Sequence, residues 1–162
     1  MKIILIGFMG SGKTTVAKSL GEKLNLKVIE MDGLIIKKTG KSINQIFSED
    51  GEMRFRELEI QMAKSLAEKN KCIISTGGGV VMNQININNL KKNGKIIFLK
   101  TSFLEIKKRL KNINDRPLFK NNKSAEKLFV FRQKLYEEYA DLIVSTDGKS
   151  VEKITYEIIS QN

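Results

Sequence analysis

The chain has no histidine and no tryptophan, and only one cysteine and one proline in 162 residues. Without histidine, neither a histidine-based zinc site nor a Ser-His-Asp triad can be assembled. The lone Cys72 cannot close an internal disulfide, and inside a run of apolar residues it reads as a small core hydrophobe. Long apolar runs are missing as well. Residues 1–7 are largely apolar, but Gly10, Ser11, Gly12 and Lys13 interrupt the stretch, leaving it too short for a secretory h-region or a membrane span. The expectation is a cytosolic protein without a membrane partner. Acidic residues are also in deficit, 18 against 29 basic, for a formal net charge of +11.

What remains is an ordinary globular composition, 41% hydrophobic and 29% charged, of a length that fits one domain of roughly 150 residues. Disorder and collagen-like structure are excluded. The basic excess points to an anionic partner: nucleic acid, a membrane surface or a phosphorylated small molecule. Residues 107–127 carry eight basic side chains against Asp115 and Glu126, six of the eleven net charges. A solvated surface accounts for most of these lysines; Arg109 and Arg116 require separate treatment.

Five short β-branched or leucine-rich runs, at residues 2–6, 27–31, 72–75, 96–99 and 142–144, alternate with segments long enough for crossover helices. Helical periodicity predicts helices at about 14–24, 33–39, 42–48, 52–68, 103–110, 125–139 and 151–160. This alternation implies an α/β, three-layer α/β/α fold with a five-stranded parallel sheet covered on both faces. Two stretches do not fit it. Some forty residues between the second and third strands predict a substrate-side insertion at about 33–60. Residues 112–124, rich in asparagine and holding Pro117, predict a mobile loop, a lid, over the carboxyl edge of the sheet. One domain results, with its core in residues 1–32, 61–111 and 125–162. Met31, Met53, Met62 and Met82 read as packing residues. Tyr136 and Tyr139, three apart on a helix, suit a core face better than nucleotide stacking.

The decisive motif is Gly7-Phe8-Met9-Gly10-Ser11-Gly12-Lys13-Thr14, which satisfies G-x-x-x-x-G-K-[ST] between a strand and a helix. Glycines let consecutive N–H groups turn inward around phosphate oxygens, and the helix start adds its positive dipole end. Lys13 can bridge the β- and γ-phosphates, and the Thr14 hydroxyl can ligate Mg²⁺. This is a nucleoside-triphosphate site. No guanine-reading Asn-Lys-x-Asp follows, which argues against a GTPase, and motor or helicase ATPases are usually larger. A small kinase of the nucleoside-monophosphate-kinase type, with a P-loop NTPase fold, remains.

Glu30 and Asp32 flank Met31 at the end of the second strand and can serve different partners. Asp32 could accept the proton of an attacking hydroxyl, and Glu30 could reach Mg²⁺ through water; the alternative for both is capping of the next helix. Arg56 lies on an amphipathic helix, where pairing with Glu52, Glu57 or Glu59 is the plain alternative to ligand binding; for Arg132 it is an exposed helical position. Gly77-Gly78-Gly79 directly after the third strand is entropically unfavourable unless close backbone approach is needed.

In these segments the chain resembles the shikimate kinases, over nearly its whole length. The resemblance is carried by Gly7 to Thr15, Glu30-x-Asp32, Thr39-Gly40-Lys41-Ser42-Ile43 leading to Ile46-Phe47, Phe55-Arg56 with Glu59, Gly77-Gly78-Gly79, Arg116-Pro117-Leu118, and Arg132 followed by Leu135-Tyr136. It implies ATP-dependent phosphorylation of the 3-hydroxyl of shikimate, with Mg²⁺ as cofactor, on the pathway to chorismate and aromatic amino acids. It also implies residue roles. Gly10, Ser11, Gly12, Lys13, Thr14 and Thr15 would bind ATP, Arg109 would stack on adenine, and Arg116 would reach the transferring phosphates from the lid. Asp32 would bind the reacting hydroxyl, Arg56 and Arg132 would grip the shikimate carboxylate, and Gly77, Gly78 and Gly79 would support the ring. Phe47 and Phe55 would wall the pocket, with Glu59 beside them. Thr14 would ligate Mg²⁺ directly and Glu30 and Asp32 through water. The chain departs from the family at Glu30, where aspartate is usual, and the segment after Thr146 gives no distinctive match for adenine contacts.

Arginine suits the carboxylate role because its planar fork makes paired hydrogen bonds that lysine cannot. A gluconate or nucleotide acceptor is the competing kinase reading. A nucleic-acid-binding module is the reading from another class, opposed by the lack of tryptophan and of a basic stripe interleaved with aromatics. No coiled-coil repeat or long apolar stripe is present, which reads as a monomer.

Overall fold

A computed structural model describes residues 1–110 and 122–161. Five parallel strands, β1 (Lys2–Ile6), β2 (Lys27–Glu30), β3 (Cys72–Ser75), β4 (Lys95–Lys100) and β5 (Leu142–Ser145), lie in the order β2-β3-β1-β4-β5. The first strand occupies the centre, hydrogen-bonded on both sides, with Ile4 opposite Ile74 and Ile96. All five of its side chains are buried, which is why it reads as an unbroken apolar run rather than an alternating one.

The strand period of two divides the core into two layers. Ile4, Ile6, Ile74, Ile96 and Phe98 face one side, under α2 (Met31–Thr39), α4 (Glu52–Leu66), α5 (Gln84–Lys91) and α7 (Asn122–Tyr139). Ile3, Leu5, Ile73, Ile97 and Leu99 face the other, under α1 (Lys13–Leu24) and α8 (Val151–Ser160). The remaining helices are α3 (Ile43–Gln45) and α6 (Phe103–Leu110). This is the expected three-layer α/β/α arrangement. Cys72 is a buried free thiol within the core.

Several expectations need correction. The second strand stops at Glu30, and α2 starts at once with Met31, so Asp32 lies in the first turn of a helix. The helix expected at 42–48 begins with a Ser42/Gln45 capping box but widens into a π-helical turn over Ile46–Asp50, ended by Gly51. The insertion's last helix continues to Leu66, and Leu58, Met62, Ala63 and Leu66 pack into the main core. Helix α5 was not expected. Asn86, Asn88 and Asn89 are poor helix formers, but Asn83 caps its start by accepting from Ile85 N–H at 3.1 Å, and Ile87 and Leu90 are buried. The end of the proposed lid, residues 122–124, is the first turn of α7; residues 112–121 lie outside the described residues. Met31 and Met62 do pack in the core, but Met53 is 80% and Met82 42% exposed. Helix periodicity put Met53 on the wrong side, one position off the buried stripe of Phe55, Leu58 and Met62.

Candidate active site

The carboxyl ends of β1, β2 and β3 deliver three loops to one place. After Ile6 the chain enters the glycine loop, with Gly7, Gly10 and Gly12 at φ 149°, 78° and 89°. These left-handed values bend the loop around a central concavity. Helix α1 then begins at Lys13 with Gly12 as its N-cap and no side-chain cap, so no side chain covers the anion-binding face of its first N–H groups. The Lys13 ammonium, nearly buried, donates to the carbonyls of Gly7 and Phe8 at 2.8 and 2.9 Å and approaches Ser11 Oγ at 3.4 Å. Thr14 and Thr15 are exposed in the first helical turn.

Across from the loop, the Thr14 hydroxyl donates to Glu30 Oε2 at 3.2 Å. Glu30 occupies the N-cap position of α2 but its side chain caps nothing, which removes the capping alternative. Its other oxygen, Oε1, is buried without a hydrogen-bond partner among the described residues. A hydroxyl and an incompletely satisfied carboxylate oxygen are hard donors of the kind Mg²⁺ takes, alongside phosphate oxygens and water. Among the described residues no group of three or more metal-binding side chains exists, so a cation here would need its remaining ligands from the nucleotide and solvent.

Each glycine of the triplet faces a different functional group. A Cβ on Gly77 would stand 2.8 Å from Asp32 Oδ1, one on Gly78 would stand 3.3 Å from the Met9 backbone N, and one on Gly79 would run into the Arg56 guanidinium. None of the three has positive φ. Their absent side chains therefore serve close packing of site groups, not an unusual backbone: the triplet holds Asp32, the phosphate loop and Arg56 in contact with one strand end.

Arg56 and Arg132 arrive from α4 and α7. Arg56 Nη1 donates to Glu59 Oε2 at 2.7 Å and Nη2 to Glu52 Oε1 at 3.2 Å, the i+3 and i−4 geometry of one helix face. Glu59 is only 1% exposed; burial pushes its carboxyl up, with Arg56 pulling the other way and Asp32 adding to the rise. Burial tends to lower the Arg56 pKa, but Glu59 and Glu52 outweigh it and the net shift is upward. Arg132, expected as an exposed cation under the plain alternative, is 6% exposed instead. Burial pulls its pKa down and the nearby Arg56 cation adds to this, although a guanidinium stays charged. Its Nε is buried and has no hydrogen-bond partner among the described residues. Two neighbouring guanidinium groups, one with an unsatisfied donor, make a place for an anion.

Aromatic rings border these cations. Phe47 and Phe55 pack at 4.7 Å between centroids, Arg56 Cζ lies 5.4 Å over the Phe55 ring, and Arg132 Cζ lies 5.9 Å over Phe8. On the opposite side, Arg109 is held by Glu105 at 3.1 Å and reaches the Gly10 carbonyl at 3.4 Å and Thr146 O at 3.5 Å, bridging the glycine loop and the end of β5. Arg116 lies outside the described residues. Two open surface hollows of about 530 Å³ lie elsewhere, one beside Lys41 and Arg54, the other beside Val130 and Phe131. Neither touches the glycine loop, so converging charge and backbone donors, not cavity size, locate the site.

Sequence reasoning missed Tyr136 and Phe8 as members of this region. Tyr136 is fully buried, as a core residue would be, but its hydroxyl donates to the Gly78 carbonyl and contacts Arg132. The i, i+4 spacing of Arg132 and Tyr136 was the available signal.

A phosphate loop at the head of a parallel α/β sheet, faced by a helix-borne carboxylate, a buried arginine and a half-buried one, defines a P-loop kinase for a small acidic acceptor. The shikimate kinase family model matches residues 9–162. A shikimate kinase of Persephonella marina is 42% identical over 160 residues, covering 98% of this chain and 97% of its own. Among solved structures, the shikimate kinase of Acinetobacter baumannii in complex with shikimate superposes with a TM-score of 0.93 at 30% identity, covering 99% of this chain and 91% of that one. The shikimate kinase of Aquifex aeolicus gives 0.84 at 38% identity, covering 99% and 95%. The chain belongs to the shikimate kinase family and is an ATP-dependent phosphotransferase with an alcohol group as acceptor.

Proposed function

We propose that the enzyme transfers the γ-phosphoryl group of ATP to the 3-hydroxyl of shikimate, giving shikimate 3-phosphate and ADP, a step toward chorismate and the aromatic amino acids. The observation that carries the acceptor assignment is the buried Arg132, with an unsatisfied Nε, beside the Glu59-braced Arg56. Such a pair suits one compact carboxylate and is poorly matched to a nucleobase.

In this reading Arg56 and Arg132 hold the acceptor carboxylate, while Phe47 and Phe55 and the Gly77–79 backbone confine the ring. Asp32, pressed against Gly77, accepts a hydrogen bond from the reacting hydroxyl and takes its proton as the new P–O bond forms. Lys13 is already held at the loop's rim by the Gly7 and Phe8 carbonyls; exchanging these for β- and γ-phosphate oxygens requires only a side-chain swing. The backbone N–H groups of residues 10–15 neutralise phosphate charge, and Arg109 flanks the adenine. Arg116, assigned on its motif alone, reaches the transferring group. Mg²⁺, held by Thr14 and, through water, by Glu30 and Asp32, would supply charge neutralisation on the triphosphate. Residues 33–60 act as the acceptor-binding insertion and 112–124 as the lid within a single domain. In this reading the enzyme acts as a cytoplasmic monomer; among the described residues no helix is long and apolar enough to cross a membrane. The +11 charge steers two anionic substrates inward and requires no nucleic-acid partner.

The test is ADP release from Mg-ATP with shikimate, gluconate, AMP or no acceptor. Stimulation by shikimate alone is expected. Equal slow hydrolysis in every case would overturn the acceptor assignment.

A further inference from the structure

The deepest polar group near the site is one that no step above uses. Tyr136 has no exposed surface and stacks on Phe98 of β4, with ring centroids 5.0 Å apart and planes 28° from parallel. A buried phenol requires partners. Its O–H donates to the Gly78 carbonyl, and its oxygen faces the Arg132 guanidinium one helical turn earlier, whose charge it attracts. The neutral hydroxyl can do both at once, as one donor and one acceptor. Burial outweighs the opposing Arg132 charge and keeps the phenol protonated well above its ordinary titration range, so the donor is retained at any working pH.

Gly78 in turn lies against the phosphate loop, where a Cβ would meet Met9 N at 3.3 Å and Gly7 O at 3.6 Å. Tyr136 thus joins the arginine of the acceptor side to the loop that carries the phosphoryl donor. We infer that Tyr136 is a positioning residue for the transfer: its hydroxyl is a strut between Arg132 and Gly78 that fixes where the acceptor is held relative to the phosphate loop. The inference rests on the reading of Arg132 as a carboxylate ligand. Held this way, Arg132 has little rotamer freedom to lose on binding, and the Nε without a partner among the described residues stays directed to one place.

The experiment is steady-state kinetics on the full-length enzyme and on Tyr136→Phe, Phe98→Leu, Arg132→Lys and the Tyr136→Phe/Arg132→Lys pair. Tyr136→Phe keeps the ring and removes only the strut, so shikimate KM should rise roughly tenfold while ATP KM stays within about twofold. Phe98→Leu loosens the same packing without touching the hydroxyl, and should lower the melting temperature with shikimate KM unmoved. The double variant should be no worse for shikimate than Arg132→Lys alone, because the strut acts through Arg132. An unchanged shikimate KM in Tyr136→Phe, equal shifts for both substrates, or additive losses in the pair would overturn the inference.

A readout without substitution at the site uses fluorotyrosine-labelled enzyme, which has three tyrosines. With the lines of Tyr139 and Tyr156 identified by their Phe variants, the Tyr136 resonance should shift on adding shikimate. A motionless line overturns the strut even if Tyr136→Phe does not fold. If the unsubstituted enzyme shows no shikimate-dependent turnover at all, the acceptor reading itself fails and the strut with it; with normal wild-type turnover, a failed kinetic or spectral outcome counts against Tyr136 alone.

Discussion

Glu59, 1% exposed, holds Arg56 Nη1 at 2.7 Å, so a buried carboxylate is matched to the half-buried cation proposed to bind the acceptor. Removing the cation should therefore have two separable effects. Arg56→Ala loses a charge-assisted contact to the acceptor carboxylate, about 2 kcal/mol, which corresponds to roughly 30-fold in shikimate KM. It also strands Glu59. The folded-state pKa of Glu59 is already raised by burial, and without Arg56 it rises further. A carboxyl whose folded pKa exceeds its unfolded value binds more protons when folded, so stability falls as pH rises through that window. The Arg56→Ala melting temperature should accordingly lie close to wild type near pH 4.5 and well below it at pH 8, where up to about 3 kcal/mol is lost. Thermal unfolding across pH checks this; a deficit independent of pH would count against it.

The glycine triplet yields a graded set. Gly79→Ala would place a methyl on the Arg56 guanidinium, the far end of a flexible side chain, so the protein should fold while shikimate KM rises. Gly77→Ala would push on Asp32 Oδ1 and should instead depress kcat, because it displaces the carboxylate proposed to receive the hydroxyl proton. Gly33→Ala is the contrast: on α2 its Cβ would meet only Glu30 Cβ at 3.5 Å, an ordinary contact, and its φ is not positive. It should stabilise the protein by about 0.5–1 kcal/mol with kinetics intact. Parallel kinetics and denaturation on the three variants decide; a kcat effect from Gly79→Ala larger than its KM effect would contradict the assignment.

Away from the site, Asp141 ties two strands and a helix together. Its Oδ1 accepts from Lys91 at 2.7 Å and its Oδ2 from Ile96 N–H at 2.9 Å, while its own N–H donates to Ile96 O. Burial opposes the charge, but Lys91 and the Ile96 amide outweigh it and hold the carboxyl below its usual range. A depressed folded pKa contributes stability that is complete above the unfolded value of about 3.9 and is lost as pH falls through the folded one. Asp141→Asn should destabilise by about 1 kcal/mol at pH 7 and by less at pH 3, below the unfolded carboxyl value of about 3.9. Urea unfolding at both pH values is the check; a difference that stayed constant would contradict the charge-based role.

Most of these side chains have roles that local sequence signals only in part. The strand, glycine loop and helix of residues 2–24 were legible because each signal there is local: a β-branched run, φ-permissive glycines and a 3.6-residue period. Helix α5 was not legible, since residues 84–91 carry three asparagines and their helicity depends on burial of Ile87 and Leu90 by elements far away in sequence. The π-helical turn after Ser42 followed a correct capping signal whose continuation no local rule distinguishes from an α-helix. Arg56 and Arg132 could be named from motif, and the Arg56–Glu59 pair is a same-helix contact that spacing already offered, but the burial of Arg132 emerges only when α7 packs over the sheet. Tyr136 was read as core because burial and site membership coincide in it.

Glu30 provides the most discriminating test of the nucleotide half. The Thr14 hydroxyl donates to Glu30 Oε2 at 3.2 Å, which orients the lone pairs of Thr14 Oγ1 away from the carboxylate and toward the phosphate side. Oε1, buried and without a partner among the described residues, would accept from a water on the proposed Mg²⁺. Second-sphere partners of this kind typically alter metal affinity by about 10–100-fold. Glu30→Ala should therefore raise the Mg²⁺ concentration for half-maximal activity by at least about tenfold at fixed ATP, with shikimate KM little changed. Glu30→Gln keeps an acceptor for Thr14 but removes the charge, and should fall between Glu30→Ala and wild type. Glu30→Asp, one methylene shorter, tests reach: if the link to the metal runs through water, the water can fill the gap and activity should approach wild type. Mg²⁺ titrations of the four enzymes at saturating shikimate give the order directly. An Mg²⁺ requirement identical in Glu30→Ala and wild type would remove Glu30 from the metal site and leave the cation to Thr14 and Asp32.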